Sequence, residues 1–432
     1  MTVLPVGLRR AAGVRFVLPL TAAAAALSAG FLATRSLRLG LAMVAVPVLV
    51  LLVTRLRANT LLLVAALPFP ISLTRGAGGF EAAASDLLLA VALGGLLLLL
   101  VLDGKARERA AAVRPILLPV LVYALALIVV LAFHPGLRSG VKSVQQLELT
   151  ALPAVLAAVV YQPKLMSWML KAYVLAATVL AVAFALKVGS GAEGALQVGK
   201  NPGGQHIASA VLLLLAAPDF DKRWRPLLVP LSLGLLATQS RGALIALAAS
   251  LIVLLVLKGQ GSRVRLLLGA AAVIGLLTVA YQALPATAQK RILNTNQQTD
   301  YALRIRQAYR DDANALIADH PYVGIGVGNY LAGKPAEGTQ TTDPHNVGLL
   351  VLAEGGIVLA AGFVILQLGS AAVLVRLRTV TPYAAVALAV QVGTVTHGFA
   401  DTYWVRGTPD LGWFLLGAAL VTRQARRDPT PA

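Results

Sequence analysis

Long apolar runs follow one another along almost the whole of this chain, and that feature leaves few folds open. A run of about 18 or more apolar residues is read as a membrane-spanning helix. The 432 residues are 58% hydrophobic, with a mean hydropathy of +0.79 and only 13% charged. That charge content is about half the usual globular share, so a soluble surface of this size has too little to cover it. No short apolar signal precedes a soluble body. The expected fold class is all-α, a polytopic membrane protein with about 12–14 spans. Cysteine is absent, which excludes disulfides, a thiol nucleophile and a thiolate metal site. The net charge of +19 would indicate nucleic acid in a soluble protein. Here the enrichment of cations on the cytoplasmic side of a membrane explains much of it, and no nucleic-acid partner is expected.

Spans are read at 16–34, 37–53, 59–74, 86–102, 115–133, 147–161, 165–188, 205–217, 226–239, 242–257, 266–283, 347–375, 383–400 and 411–422. Those near 205–239 are short enough to be tilted pieces or half-helices. With both termini cytoplasmic, 21 of the 37 cations fall on inner segments. The reverse orientation would put the Lys105–Arg114 cluster outside, against the charge rule. The chain then divides into an N-terminal bundle (1–190), a middle set of spans (191–283), one large outer loop (284–346) and C-terminal spans (347–432). In this frame all five histidines, His134, His206, His320, His345 and His397, lie on outer loops or outer span ends.

The long loop carries the most distinctive local patterns. Over 300–319, Ala302, Ile305, Tyr309, Ala313 and Leu316 recur at helical spacing. Arg306 and Arg310, four apart, share a face of that helix. Two readings stay open: a helix lying on lipid headgroups, or a lid whose arginines face a phosphorylated substrate. His320-Pro321 ends the helix, because proline cannot continue it. Gly324, Gly326 and Gly328 follow; with no strand before them and no matching helix after, they read as a tight turn and not a dinucleotide site. Asp343 and Pro344 read as N-cap and first position of the next span. That places His345 in its first turn, where the helix dipole favours a neutral imidazole and attracts anions. Glu354, nine residues on and about 13 Å deeper, needs a partner or must be neutral.

Four segments in this order resemble the O-antigen ligase and polymerase superfamily of membrane glycosyltransferases. They are KNPGGQHIASAVLL (200–213), TQSRGALIAL (238–247), DYALRIRQAY followed by HPYVGIGVGNY (300–330), and PHNVGLLVLAEGGI (344–357). Where relatives often have Asn-Pro-Asn, this chain has Asn201-Pro202-Gly203-Gly204, and His206 is not a usual family position. The resemblance implies an enzyme of the cytoplasmic (inner) membrane; with no three-ligand metal cluster visible, it is expected to be metal-independent and to need no cofactor. Its donor is a glycan on undecaprenyl pyrophosphate, and its acceptor is a lipid or a second glycan. Transfer to the acceptor hydroxyl would take place at the outer face, in contact with membrane lipids.

A pyrophosphate leaving group calls for fixed positive charge, which arginine supplies at any depth and in a two-donor fork. Arg241, with no acidic neighbour in sequence, is the first candidate, followed by Arg304, Lys200 and Arg291. His345 is the candidate base for the acceptor hydroxyl. Asn201 is a secondary candidate. So are His397 and Asp401, four apart on one helix face, where Asp401 either orients His397 or simply satisfies it. No three-ligand metal pattern is visible. The alternative class is a transporter of a small solute, whose short broken spans would line a transport path.

Overall fold

A computed structural model describes residues 53–69, 84–188, 194–293, 297–330, 344–401 and 409–427. Apart from Val53, the spans expected at 16–34 and 37–53 lie outside the described residues. Within them the chain is almost wholly helical. The helices are α1 (Leu56–Ala66), α2 (Ala84–Leu102), α3 (Gly104–Ala110), α4 (Leu117–Phe133), α5 (Leu137–Glu148), α6 (Ala151–Val160), α7 (Pro163–Lys187) and α8 (Lys200–Ala216). They continue as α9 (Leu228–Ala237), α10 (Arg241–Leu257), α11 (Gln260–Ala283), α12 (Ala286–Ile292), α13 (Gln297–Asp319), α14 (Val347–Leu377), α15 (Pro382–Gly398) and α16 (Asp410–Arg427). The only strands among the described residues, β1 (Gly194–Ala195) and β2 (Val198–Gly199), form one tiny antiparallel pair.

Each span expected within the described residues coincides with a helix. Among the described residues, five helical stretches are long and apolar enough to cross a membrane, and six if α5 and α6, bent by 42° at their junction, form one broken span. The protein is therefore a polytopic, all-α membrane protein. The remaining helices that coincide with expected spans run from 10 residues in α9 to 18 in α16, and α9 is short as the apolar stretches near 205–239 imply. Helix α5 has no counterpart among the expected spans. Its sequence, LRSGVKSVQQLE, is amphipathic and not apolar, so a search for apolar runs passes over it.

Helices α8, α15 and α16 are buried nearly all round, as befits helices without a polar stripe. Helix α10 packs most extensively on α15, and α8 packs on α7, α10 and α15. Small residues allow the close approaches. A Cβ added at Gly234 would fall 2.4 Å from Ala181 Cβ, and one at Gly393 would fall 2.4 Å from Ser250 Oγ. Ser250 Oγ donates to Ala389 O across that contact at 2.7 Å.

The two ends of the body differ in how they use charge. Away from the 284–346 segment, cations cap helix C-termini. Arg107 donates to Leu100 O and Val101 O at 2.9 Å, and Lys258 to Ala216 O at 2.9 Å. These are the orphan carbonyls and the negative dipole end. At the other end, here the loop end, helix N-termini gather instead.

Helix α14 is broken. Gly356 has φ 58° and ψ −159°, a conformation open essentially only to glycine. The 320–330 turn docks into the break through its backbone. Ile325 N donates to Ala353 O (3.1 Å) and Gly326 N to Glu354 O (2.8 Å). In return, Ile357 N donates to Pro321 O (2.9 Å) and Val358 N to Tyr322 O (3.2 Å). Residues 357–377 then cover about 31 Å, one bilayer core, and pack along α4 at Gly362 and Gly369. His134, which caps α4, sits against Gly326 of the docked turn. The break thus lies at the loop end of the span. Glu354 is consequently not buried deep in the span, as a continuous helix would require. It lies at the break, where Oε1 accepts the Tyr330 amide at 3.3 Å.

Candidate functional site

The TQSR segment is a tight reversal between α9 and α10. Gln239 takes the left-handed conformation (φ 54°). Thr238 Oγ1 donates to Leu235 O (2.6 Å) and accepts from Ser240 N (3.2 Å), and Ser240 Oγ accepts from Ala243 N (3.4 Å) as the N-cap of α10. A capped N-terminus follows from serine's ability to replace the missing helical acceptor. Arg241 is therefore the first residue of α10, half-buried at the loop end. Gly242 makes room for α15: a Cβ there would lie 3.2 Å from His397 Cδ2 and from Ala400 Cβ.

Helix α14 begins at Val347, and its N-cap is Asn346, whose Oδ1 accepts from Leu349 N at 3.1 Å. This corrects the expected start with Pro344 as first helical residue, which would have put His345 inside the first turn. Asparagine is a strong N-cap, and the sequence PHNVG carried that signal. His345 precedes the helix in the left-handed conformation (φ 49°), and its Nδ1 lies 2.6 Å from Asp401 Oδ1. The carboxylate, 13% exposed, meets an imidazole 32% exposed. Asn346 Nδ2 donates to Phe399 O at 3.1 Å, tying the start of α14 to the end of α15.

Helix α13 brings the remaining groups. Tyr309, Ala313 and Leu316 pack on the first turns of α14 and on Tyr330, not on lipid. The Tyr309 ring lies 5.9 Å from that of His345. Arg306, half-buried, donates to Ala400 O at 3.3 Å. It also stands within electrostatic reach of Arg241, His397 and Asp401. Burial by itself raises the Asp401 carboxyl, but the hydrogen bond with His345 and the charges of His345, His397 and Arg306 outweigh it and hold the group at about 2.

The structure thus gathers Arg241, His345, His397 and Asp401 from the sequence-derived set. It adds Arg306, Asn346 and Tyr309. Arg304 is exposed; two residues along a helix is about 200°, so it points away from Arg306. The pairing of Arg306 with Arg310 on one face was legible, but sequence did not say which arginine turns inward. Asp401 hydrogen-bonds to His345, not to the expected partner His397, which is buried and remains within electrostatic reach of it. Lys200 and Asn201 open α8 at the loop end, one turn before Gly204, which packs on Ser240 and Ala243. Arg291 lies on α12, with its side chain outside the described residues. His206 is an interior residue whose Nδ1 lies 2.9 Å from Tyr173 Oη. Among the described residues, no three histidine or carboxylate side chains form a metal-ligand set.

Chemically, the pole combines an imidazole oriented by a carboxylate, two half-buried arginines, and helix N-termini of α10 and α14. Such a set can accept a proton and hold an anion. No curated protein sequence matches this chain. Residues 226–364, which include Arg241, Arg306 and His345, match the family model described as O-antigen ligase.

Proposed function

We propose that the protein transfers a glycan from undecaprenyl pyrophosphate to an acceptor hydroxyl at the outer face of a cytoplasmic membrane. The observation that carries this reading is the His345–Asp401 contact of 2.6 Å beside Arg241 and Arg306. With Asp401 ionised, Nδ1 of His345 carries the shared proton and Nε2 is the basic nitrogen. Nε2 takes the proton of the acceptor hydroxyl as its oxygen bonds to the anomeric carbon. The bond from that carbon to the pyrophosphate oxygen breaks, and the leaving group departs with the electron pair. Asp401 stabilises the imidazolium that forms. Arg241 and Arg306 neutralise the pyrophosphate, assisted by the adjacent N-termini of α10 and α14. Placing this pole at the outer face rests on the cation bias along the sequence.

The test uses purified protein with a lipid-linked glycan donor. General-base assistance is worth about 10²–10⁴-fold, so His345→Ala should lose transfer by that order while still binding donor. His345→Gln keeps a hydrogen bond without the basicity and should be nearly as damaged. Arg241→Ala should weaken donor binding, with Arg241→Lys rescuing poorly because lysine lacks the planar fork. Wild-type turnover by His345→Gln would remove the base role.

A further inference from the structure

A second group of cations stands at the loop end, about 13 Å along α14 from its N-terminus, where the glycine turn fills the break. We propose that His134, Arg138 and Lys142 form an anion site, separate from the Arg241 pole, that takes a lipid-borne phosphate.

Three observations support it. First, Arg138 and Lys142 are four apart on α5 and so share a face, and both pack their aliphatic stems on Gly328. A Cβ there would fall 2.7 Å from Lys142 Cγ and 3.7 Å from Arg138 Cγ. The absent side chains of Gly326 and Gly328 are what let His134, Arg138 and Lys142 close around the turn. Second, the donors are not all used within the protein. Arg138 Nε and His134 Nε2 are buried atoms with no hydrogen-bond partner, a state that costs free energy unless a ligand relieves it. Glu354 is in electrostatic reach of Arg138 and Lys142. Its carboxyl group, however, is engaged by the turn amides of Gly328 and Tyr330, and a single carboxyl group faces two fixed cations. Third, the surroundings are apolar and exposed. Phe133 (66% exposed), Leu137 (85%) and Val144 (64%) flank the cations at the end of the α4 span, with Tyr322 (73%) on the docked turn. Apolar and aromatic groups bordering cations at the end of a span are suited to an acyl chain below and a phosphate above.

The experiment places the full-length protein in nanodiscs of phosphatidylcholine with a minor share of phosphatidylglycerol, and measures which lipid stays with the protein on mild extraction. A parallel arm adds inorganic pyrophosphate to phosphatidylcholine-only nanodiscs. The expected result is enrichment of phosphatidylglycerol on the wild type. Arg138→Gln combined with Lys142→Gln should reduce it by roughly tenfold or more, the scale of a lost charged contact. Lys187→Gln, an exposed cation elsewhere on the loop end, and Arg241→Ala should leave it intact. Absence of enrichment on the wild type overturns the proposal without any variant, which keeps it falsifiable if the double variant does not fold. Enrichment that persists in a folded double variant overturns it equally. Pyrophosphate binding that depends on Arg138 and Lys142, without phosphatidylglycerol enrichment, overturns the lipid assignment in favour of a soluble phosphate.

Discussion

Two motifs in this chain read alike in sequence, and the structure treats them in opposite ways. HPYVGIGVGNY offers a glycine turn of the kind that can cradle phosphate; PHNVG offers a histidine at a helix start. In the first, Gly328 and Tyr330 donate their amides to Glu354 from the same chain, so the cradle is already filled by a carboxyl group of the protein. In the second, the groups remain half-exposed: Arg241, Arg306 and His345 stand together with Asp401 as their nearby carboxylate. The turn amides are closed off by a side chain of the protein itself, whereas the cations at the helix start stay reachable from outside. The glycine turn is architecture that holds α14 broken, and the break lets the helix start carry His345 beyond the span.

The most severe test of that division is Gly356→Ala. A Cβ at Gly356 would fall 2.3 Å from both the carbonyl carbon and oxygen of Tyr322, at a φ of 58° that alanine rarely adopts. Strain of this kind alone is on the order of 1–3 kcal/mol, and the backbone clash adds to it. Thermal unfolding in detergent should show the largest loss of any variant discussed, with donor binding lost alongside. A variant as stable as wild type would mean that the docked turn does not hold the break.

Next is Asp401→Asn, which keeps the shape and removes the charge that orients His345. Transfer should fall by about 10²-fold, the low end of what base assistance contributes. The stability effect depends on pH, and its sign follows from the carboxyl's depression. Asp401 sits at about 2, below the ordinary value of about 3.9. Its contribution is therefore complete above about pH 4 and disappears as pH falls through about 2. Melting curves of wild type and Asp401→Asn should differ at pH 5 and converge towards pH 2; a gap that stays constant would mean the pair adds nothing through ionisation.

How much of this was readable beforehand depends on range. Helices such as α7 and α14 follow from composition alone, since a long apolar run in lipid has few other options. Pro321 as a stop is local chemistry, visible within four residues. The His345–Asp401 contact spans 56 residues and depends on how the end of α15 packs against the start of α14, which no local pattern encodes. The four-residue spacing of His397 and Asp401 pointed instead to a same-helix pair. Asp401, however, lies past the end of α15, where the helical register that would join them has ended. Helix α5 escaped because its pattern is amphipathic, and the inward arginine of α13 is fixed by the packing of Tyr309 and Ala313.

The satisfied half of the comparison can be probed at Glu354. Glu354→Gln keeps an oxygen for the Tyr330 amide and should change stability little. Glu354→Ala leaves buried amides without an acceptor, a loss of about 1–3 kcal/mol, visible as a lowered melting temperature. Transfer per folded molecule should be nearly unchanged in both, because the carboxylate serves the turn and not the reacting pole. A loss of turnover in Glu354→Gln at full stability would join the two clusters into one site.

The smallest effect expected is at Gly242, where the comparison is tested by a fraction of an ångström. An added Cβ would stand 3.2 Å from His397 Cδ2, 3.3 Å from His397 Nε2 and 3.2 Å from Ala400 Cβ. These distances are short of ordinary contact by a few tenths of an ångström, so the end of α15 must give slightly for Gly242→Ala to be accommodated. Alanine is the better helix former, by up to roughly 0.8–1.0 kcal/mol at an interior position and by less at this second helical position, and that gain opposes the crowding. Net stability should therefore move by less than about 1 kcal/mol. The end of α15 also carries Ala400, which accepts from Arg306, and Asp401, which holds His345. A small displacement there misaligns the proposed base and an arginine together, and misplacement near 1 Å costs up to about 10²-fold in rate. A shift of a few tenths should cost several-fold in turnover at nearly unchanged donor affinity. Turnover equal to wild type would show that α15 yields without disturbing Asp401, and that the contact between Gly242 and His397 is packing alone.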